Sequence, residues 1–264
     1  MSSGINQLKL QGFSLRRGSI KPNVEADIKT YILKIRRFDP ERDTGSRWEP
    51  FSVDLDPGES LLDGFIRIKE QQDGTLTFRR SCAHGICGSC AVKVNGKNRL
   101  ACQSLMKDLP DTVEIEPLHA LNVIKDLVVD MDPFFEKNEK VLPYLINNEP
   151  PPGRERPQSP EDQGKILQAI TCIMCGCCTS SCPIFWNDSE YLGPSALLKA
   201  ARFILDTRDR AEKERLQRIL GRDGLWRCHS IYNCVEVCPK EIDITGHLTG
   251  LKRLAVKKKL FRSK

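Results

Sequence analysis

The chain has 264 residues, 12 of them cysteine, and a formal net charge of +6. That length can bury one or two real cores, so the cysteines are not needed as the disulfide staples of a mini-protein. Seven bases and no acid fall in residues 251–264, leaving the rest nearly neutral, which argues against a nucleic-acid binder with a basic folded surface.

Residues 1–20 hold no continuous apolar run of seven, so no secretory signal is expected. Residues 1–24 carry Lys9, Arg16, Arg17 and Lys21 without an acid. A flexible extension over 1–26 is the expectation, with an organellar transit peptide as the alternative. In a reducing compartment, clustered thiols bind metals more often than they pair. Residues 166–187 are 22 positions without a charge, long enough to cross a bilayer. They include five cysteines, Pro183 and six polar side chains, from which no transmembrane helix is expected.

From residue 27 to about 118 the pattern is mostly strand. Residues 30–38 are rich in β-branched and aromatic side chains, and residues 51–55 alternate with period two. Asp56-Pro57-Gly58 turns the chain, and Ser60 caps a short helix with Leu61, Leu62, Phe65, Ile66 and Ile68 facing inward. Further strands are expected over 75–79, 91–94 and 112–116, with Asn95-Gly96 as a hairpin turn. These elements make a compact α+β domain. Residues 118–144 read as a connecting strand and helix, and the five prolines of 147–160 as an extended connector. Beyond them the pattern turns helical, over 195–205 and 211–220, with Gly221 ending the latter.

The cysteines fall into three groups. Cys82-x4-Cys87-x2-Cys90-x11-Cys102 has the plant-type spacing for a [2Fe–2S] cluster. Gly85 and Gly88 allow the loop to curl and offer N–H groups to the sulfurs. Structural zinc is the alternative, but it prefers two close pairs to three ligands within nine residues. His84 lies in this loop as a neighbour of a site already complete. The second group, Cys172-x2-Cys175-x2-Cys178-x3-Cys182-Pro183, is the bacterial ferredoxin run, whose fourth cysteine belongs to another cluster. Its companion is Cys228-x5-Cys234-x3-Cys238-Pro239. Overlaid, Cys228 meets Cys172, Cys234 meets Cys178, Cys238 meets Cys182, and the slot of Cys175 falls on Ile231. Cys172, Cys175, Cys178 and Cys238 are thus expected to hold a [4Fe–4S] cluster. Cys182, Cys228 and Cys234 remain for the other, and isoleucine cannot bind iron. A [3Fe–4S] cluster is expected there, with a four-iron cluster carrying water or hydroxide as the rival. Cys177 is left over, as a small buried thiol.

Three clusters in one chain suggest an electron wire, and no G-x-G-x-x-G after a strand, P-loop or nucleophile elbow points to a substrate site. The stretches Phe78-Arg-Arg-Ser-Cys-Ala-His-Gly-Ile-Cys-Gly-Ser-Cys90, Cys172-Ile-Met-Cys-Gly-Cys-Cys-Thr-Ser-Ser-Cys-Pro183 and Cys228-His-Ser-Ile-Tyr-Asn-Cys-Val-Glu-Val-Cys-Pro239 resemble the iron–sulfur subunits of succinate:quinone oxidoreductases, the succinate dehydrogenases and related fumarate reductases. The resemblance covers about residues 28–253. It implies a β-grasp [2Fe–2S] ferredoxin domain over 27–120, a connector over 121–160, a mostly helical ferredoxin-like domain over 161–250, and a basic tail over 251–264.

It further implies a flavoprotein partner with covalent FAD, and membrane-anchor subunits holding quinone and often haem b. Electrons would run from succinate through FAD and the three clusters to ubiquinone or menaquinone, or in reverse in a fumarate reductase. The complex would lie at the cytoplasmic face of a bacterial membrane, or the matrix face of the mitochondrial inner membrane. Pro183, Trp186, His229 and Ile231 would line the quinone site. Two positions depart from the family pattern: Asn187 stands where a second tryptophan is common, and Ala83-His84 where an Arg-acid pair is usual. The first leaves the quinone type open. A soluble ferredoxin-like carrier, an electron-input subunit of another dehydrogenase and a zinc scaffold are the competing classes. The basic tail suits either solvent or an anionic membrane surface.

Overall fold

The computed structural model describes residues 28–150 and 152–258. The extension expected over 1–26 and the last residues of the tail, 259–264, lie outside the described residues.

Strands β1 (Lys29–Arg37) and β2 (Arg47–Leu55) pair antiparallel, as their alternation predicts. Ser60 caps α1 (Leu61–Gln71) in a reciprocal box with Asp63, an arrangement that adds about 1 kcal/mol to a helix start. Leu61, Leu62, Phe65 and Ile68 are buried; Ile66 is only half-buried. Asn95-Gly96 turns β3 (Ala91–Val94) into β4 (Lys97–Leu100), and β5 (Thr112–Glu116) follows. The sheet order is β2-β1-β5-β3-β4. β5 lies parallel to β1 and antiparallel to β3, so the last strand is inserted at the centre of the sheet.

Residues 75–79 are not a strand, contrary to expectation. Their alternation reflects Leu76 being buried from a loop, and their backbone is satisfied elsewhere. The Thr77 N–H donates to Asp126, and the Leu127 N–H donates to the Thr77 carbonyl. A small ribbon, β6 (Val123–Lys125) and β7 (Val128–Val129), carries those partners. Arg37, almost fully buried, ties this corner together. It reaches Asp126 at 2.9 Å, Asp73 at 2.6 Å and Glu49 at 3.1 Å, and it donates to Thr75.

The second unit is helical: α2 (Asp132–Glu139), α3 (Pro160–Ile170), α4 (Cys177–Ser180), α5 (Pro183–Asn187), α6 (Gly193–Ile204), α7 (Glu212–Ile219), α8 (Asn233–Glu236) and α9 (Ile244–Lys257). The uncharged stretch 166–187 is divided among α3, α4 and α5. Among the described residues, no helix is long and apolar enough to cross a membrane. α6, buried nearly all round, is the hub of this core.

Two expected boundaries change in meaning. Residues 121–144 are not merely a connector, since Leu127 and Val129 join the first core and Val141 joins the second. The tail expected from residue 251 begins inside α9, with Leu251 and Ala255 buried. Two of its bases are engaged, Lys252 with the Cys228 carbonyl at 2.6 Å and Lys258 with Glu212 at 2.5 Å.

Burial alone would raise the pKa of Asp206, but Arg208 and Arg202 outweigh it and hold the carboxyl at about 2. Asp73 is likewise held at about 2, its burial outweighed by Thr75 and Arg37. A carboxyl depressed below its unfolded value of about 3.9 adds stability that is complete above that pH and lost as pH falls toward the folded value. Urea midpoints measured from about pH 5 downward should therefore fall, and Asp206→Asn should flatten part of that slope. An unchanged slope in the variant would remove Asp206 from the account.

Candidate metal centres

The first cysteine loop joins α1's end of the domain to β3. Ala83, Gly85 and Gly88 take left-handed backbone conformations, with φ of 57°, 75° and 73°. This curls the chain so that the N–H groups of Ile86 and Cys87 both point at Cys82 Sγ, each at 3.3 Å. The backbone N–H of His84, with those of Cys87 and Ile86, pulls the Cys82 thiol down to about 6. Cys90 is pushed up to about 12 by burial. Cys82 lies against Cys87, and Cys90 against Cys102, which follows β4. The four cysteines are therefore brought together. The His84 ring turns back on its own loop, with Nδ1 at the Cys82 carbonyl.

The second cavity is lined by Cys172, Cys175, Cys178 and Cys238, closed by Met174, Leu198 and Ile244. The third is lined by Cys182, Cys228 and Cys234, with Pro183, Tyr191 and Ile231. The two cavities differ in lining: four cysteines line one, and three cysteines with Ile231 line the other.

The two runs also repeat each other's backbone. Cys175 stands between Met174 (φ 56°) and Gly176 (φ 81°), which opens α4. Ile231 stands between Ser230 (φ 56°) and Tyr232 (φ 72°), which opens α8. Left-handed backbone costs a non-glycine residue roughly 1–2 kcal/mol, so Ser230 and Tyr232 hold this shape against their own preference. Ile231 thus occupies the presenting position of Cys175 without its sulfur.

Of the four residues expected at a quinone site, Pro183, His229 and Ile231 line the third cavity. Trp186 does not. Its indole N–H donates to the Ser180 carbonyl at 2.6 Å, and its ring meets His119 edge-on at 5.0 Å. Trp186, Ile231 and Tyr232 are each about half exposed (45%, 46% and 54%). Cys177 is fully buried in the core of the first domain, where its carbonyl accepts from Asn98 at 2.9 Å.

Several residues escaped the sequence reading. Tyr191 is a buried wall of the third cavity, and Thr245 Oγ1 stands 3.5 Å from Cys234 Sγ. Ser195 lines the second cavity and bonds Asn138, and Lys252 holds the Cys228 carbonyl. None belongs to a motif: Ser195 comes from α6, Thr245 and Lys252 from α9, and Tyr191 from the link between α5 and α6.

The donor chemistry suits iron–sulfur clusters. Burial raises the Cys172, Cys178 and Cys182 thiols, and puts Cys234 at about 11. Such thiols resist ionisation unless positive charge arrives with the ligand, as iron supplies. One zinc would draw its thiolates to about 2.3 Å from a common point, whereas a cluster spreads its ligands over several irons.

Comparison with known proteins finds two iron–sulfur domains along the chain. A 2Fe-2S iron-sulfur cluster binding domain matches residues 32–136, and a 4Fe-4S dicluster domain matches residues 168–242. The mitochondrial succinate dehydrogenase (ubiquinone) iron-sulfur subunit 1 of Oryza sativa is 44% identical over 87% of this chain and 84% of its own length. The succinate dehydrogenase iron-sulfur subunit of Paracoccus denitrificans is 41% identical over 92% of this chain and 94% of its own. Among solved structures, a chain of the Mycobacterium smegmatis Sdh1 complex in the apo form superposes with a TM-score of 0.75 at 28% identity, covering 88% of this chain and 98% of that one. Likeness of this degree extends through both cysteine-bearing domains, and the protein belongs to the succinate dehydrogenase iron–sulfur subunit family.

Proposed function

We propose that this subunit carries electrons from FAD in a partner flavoprotein to membrane quinone, through centres held by its three cysteine groups. The observation that carries the reading is the pair of adjoining cavities, one lined by four cysteines and the next by three. Cys82, Cys87, Cys90 and Cys102 would hold a [2Fe–2S] cluster, Cys172, Cys175, Cys178 and Cys238 a [4Fe–4S] cluster, and Cys182, Cys228 and Cys234 a [3Fe–4S] cluster. When bound, these groups supply one-electron redox chemistry, with potentials set by cluster type, charge and exposure. The chain's own work is to donate N–H groups to the sulfurs, exclude water and fix the spacing.

The half-exposed apolar surface of Ile231, Tyr232 and Trp186 beside the third cavity suits a hydrophobic anchor and a quinone ring. His229, at the cavity wall, is the polar partner for a quinone oxygen. Because the Trp186 N–H is already given to Ser180, Trp186 would meet the quinone with its ring. Trp186→Leu should slow quinone reduction while leaving succinate oxidation by a flavin-level dye intact; unchanged quinone turnover would count against the contact. The subunit would sit peripherally on its anchor, on the cytoplasmic or matrix side.

Purification of the complex from native membranes, with quinone extraction and assay in both directions, tests the whole reading. A flavoprotein, a hydrophobic anchor and succinate-driven quinone reduction are expected. Predominant quinol-driven fumarate reduction would assign the reverse sense, and isolation without a flavoprotein would overturn the reading.

A further inference from the structure

The loops of the first and second cysteine groups touch at one residue. Gly88 lies between Cys87 and Cys90, and a β-carbon there would stand 2.8 Å from Cys175 Cβ, 2.9 Å from Cys175 Cα and 3.1 Å from the Ile173 carbonyl oxygen. Carbon atoms rest at about 3.5–4.0 Å from each other, so any side chain at position 88 must drive the loops apart. Close by, Asn98 of β4 donates to the Cys177 carbonyl through a buried 2.9 Å hydrogen bond. That bond ties the first domain to the segment that carries Cys175 and Cys178. Cys177 itself sits in the first domain's core, and Cys175 packs against that core, so the second loop is plugged into the first domain.

We propose that Gly88 and Asn98 are positioning residues that hold the two loops in van der Waals contact, and that this contact is the crossing point for electrons between the first and second centres. The inference rests on the electron-transfer reading above. The step it would serve is the transfer of one electron, with no proton and no bond made or broken, from a group held by Cys82, Cys87, Cys90 and Cys102 to one held by Cys172, Cys175, Cys178 and Cys238, the electron coming from succinate by way of the flavoprotein. Electron tunnelling falls steeply with separation, so a route that enters through Cys175 depends on the missing β-carbon. A cavity of about 430 Å³ lies beside the contact, lined by Cys87, Gly88, Cys90, Met174 and Cys175. With that gap alongside, the Gly88 contact is the tight crossing.

The test compares Gly88→Ala with Gly96→Ala in the whole complex. Both glycines have a left-handed backbone, φ +73° and +81°, but a β-carbon at 96, in the β3–β4 turn, meets nothing within 4 Å. Backbone strain is therefore matched, and only position 88 pushes on the second loop. Iron and sulfide content establishes loading. EPR of the dithionite-reduced complex then reads the relaxation of the [2Fe–2S] signal by its reduced [4Fe–4S] neighbour, and freeze-quench after succinate addition reads the arrival of electrons beyond the first centre. Gly88→Ala should weaken that relaxation and slow the arrival several-fold, with Gly96→Ala matching the parent. Loaded Gly88→Ala that behaves as the parent, or Gly96→Ala that shows the same loss, would overturn the proposal. Should Gly88→Ala fail to load, Asn98→Ala decides: weakened relaxation supports the crossing, and parental relaxation overturns it. Absence of a [2Fe–2S] signal in the parent complex would instead sink the electron-transfer reading.

Discussion

An Ile231→Cys variant is expected to lose the three-iron EPR signal of the oxidised protein and to bind one more iron. The reason lies in the repeated backbone. Met174 and Gly176 flank Cys175 in the left-handed region, and Ser230 and Tyr232 flank Ile231 in the same way. A thiol at 231 would therefore be presented as that of Cys175 is, into a cavity already lined by Cys182, Cys228 and Cys234. Four thiolates complete a [4Fe–4S] site, whereas three with an isoleucine leave a corner without a ligand. Because potential follows cluster type, electron delivery to quinone should change with the signal. EPR and iron analysis check the prediction together. A three-iron signal that persists at parental intensity would mean that residue 231 does not face the open corner. A parent protein without such a signal would favour the hydroxide-ligated rival.

Arg37→Met is expected to destabilise the first domain by about 3–5 kcal/mol, the cost of removing one partner from a buried ion pair. The substitution keeps much of the volume but strands Asp126, whose side chain is 2% exposed, and releases Asp73 and Glu49. Asp126 also receives the N–H groups of Phe38 and Thr77, so the fault would spread to the loop over 75–79 and on to the first cysteine loop. Urea titration followed by loss of [2Fe–2S] absorbance measures it. Adding Asp126→Asn should restore part of the loss, since the stranded charge goes with it. A loss of only about 1 kcal/mol, the scale of an exposed pair, would show that water reaches this corner.

The elements legible in advance were those with a local cause. β1, β2 and β5 announce themselves by alternation, and α1 by Ser60 and its inward leucines. The failure at 75–79 is instructive. Leu76 in a loop buried by Asp126 and Leu127 mimics strand periodicity, and its partners lie some fifty residues ahead. The end of α9 was hidden for a different reason: seven bases in fourteen residues read as tail, while burial of Leu251 and Ala255 in the second core comes from packing.

What the sequence alone determined is the chemistry and its count. Cysteine spacing is covalent information, and the reach of a loop of three or four residues restricts which sulfurs can share a centre. The expected division into groups of four, four and three, with Ile231 in the slot that matches Cys175, is drawn from spacing alone. Tertiary structure decided everything that depends on distances between segments far apart in the chain. It left Trp186 out of the third cavity's lining, brought Tyr191, Thr245 and Lys252 to that cavity's cysteines, and set Gly88 against Cys175. The physical reason is that ligand spacing is local, whereas the approach of one loop to another is set by the cores that carry them.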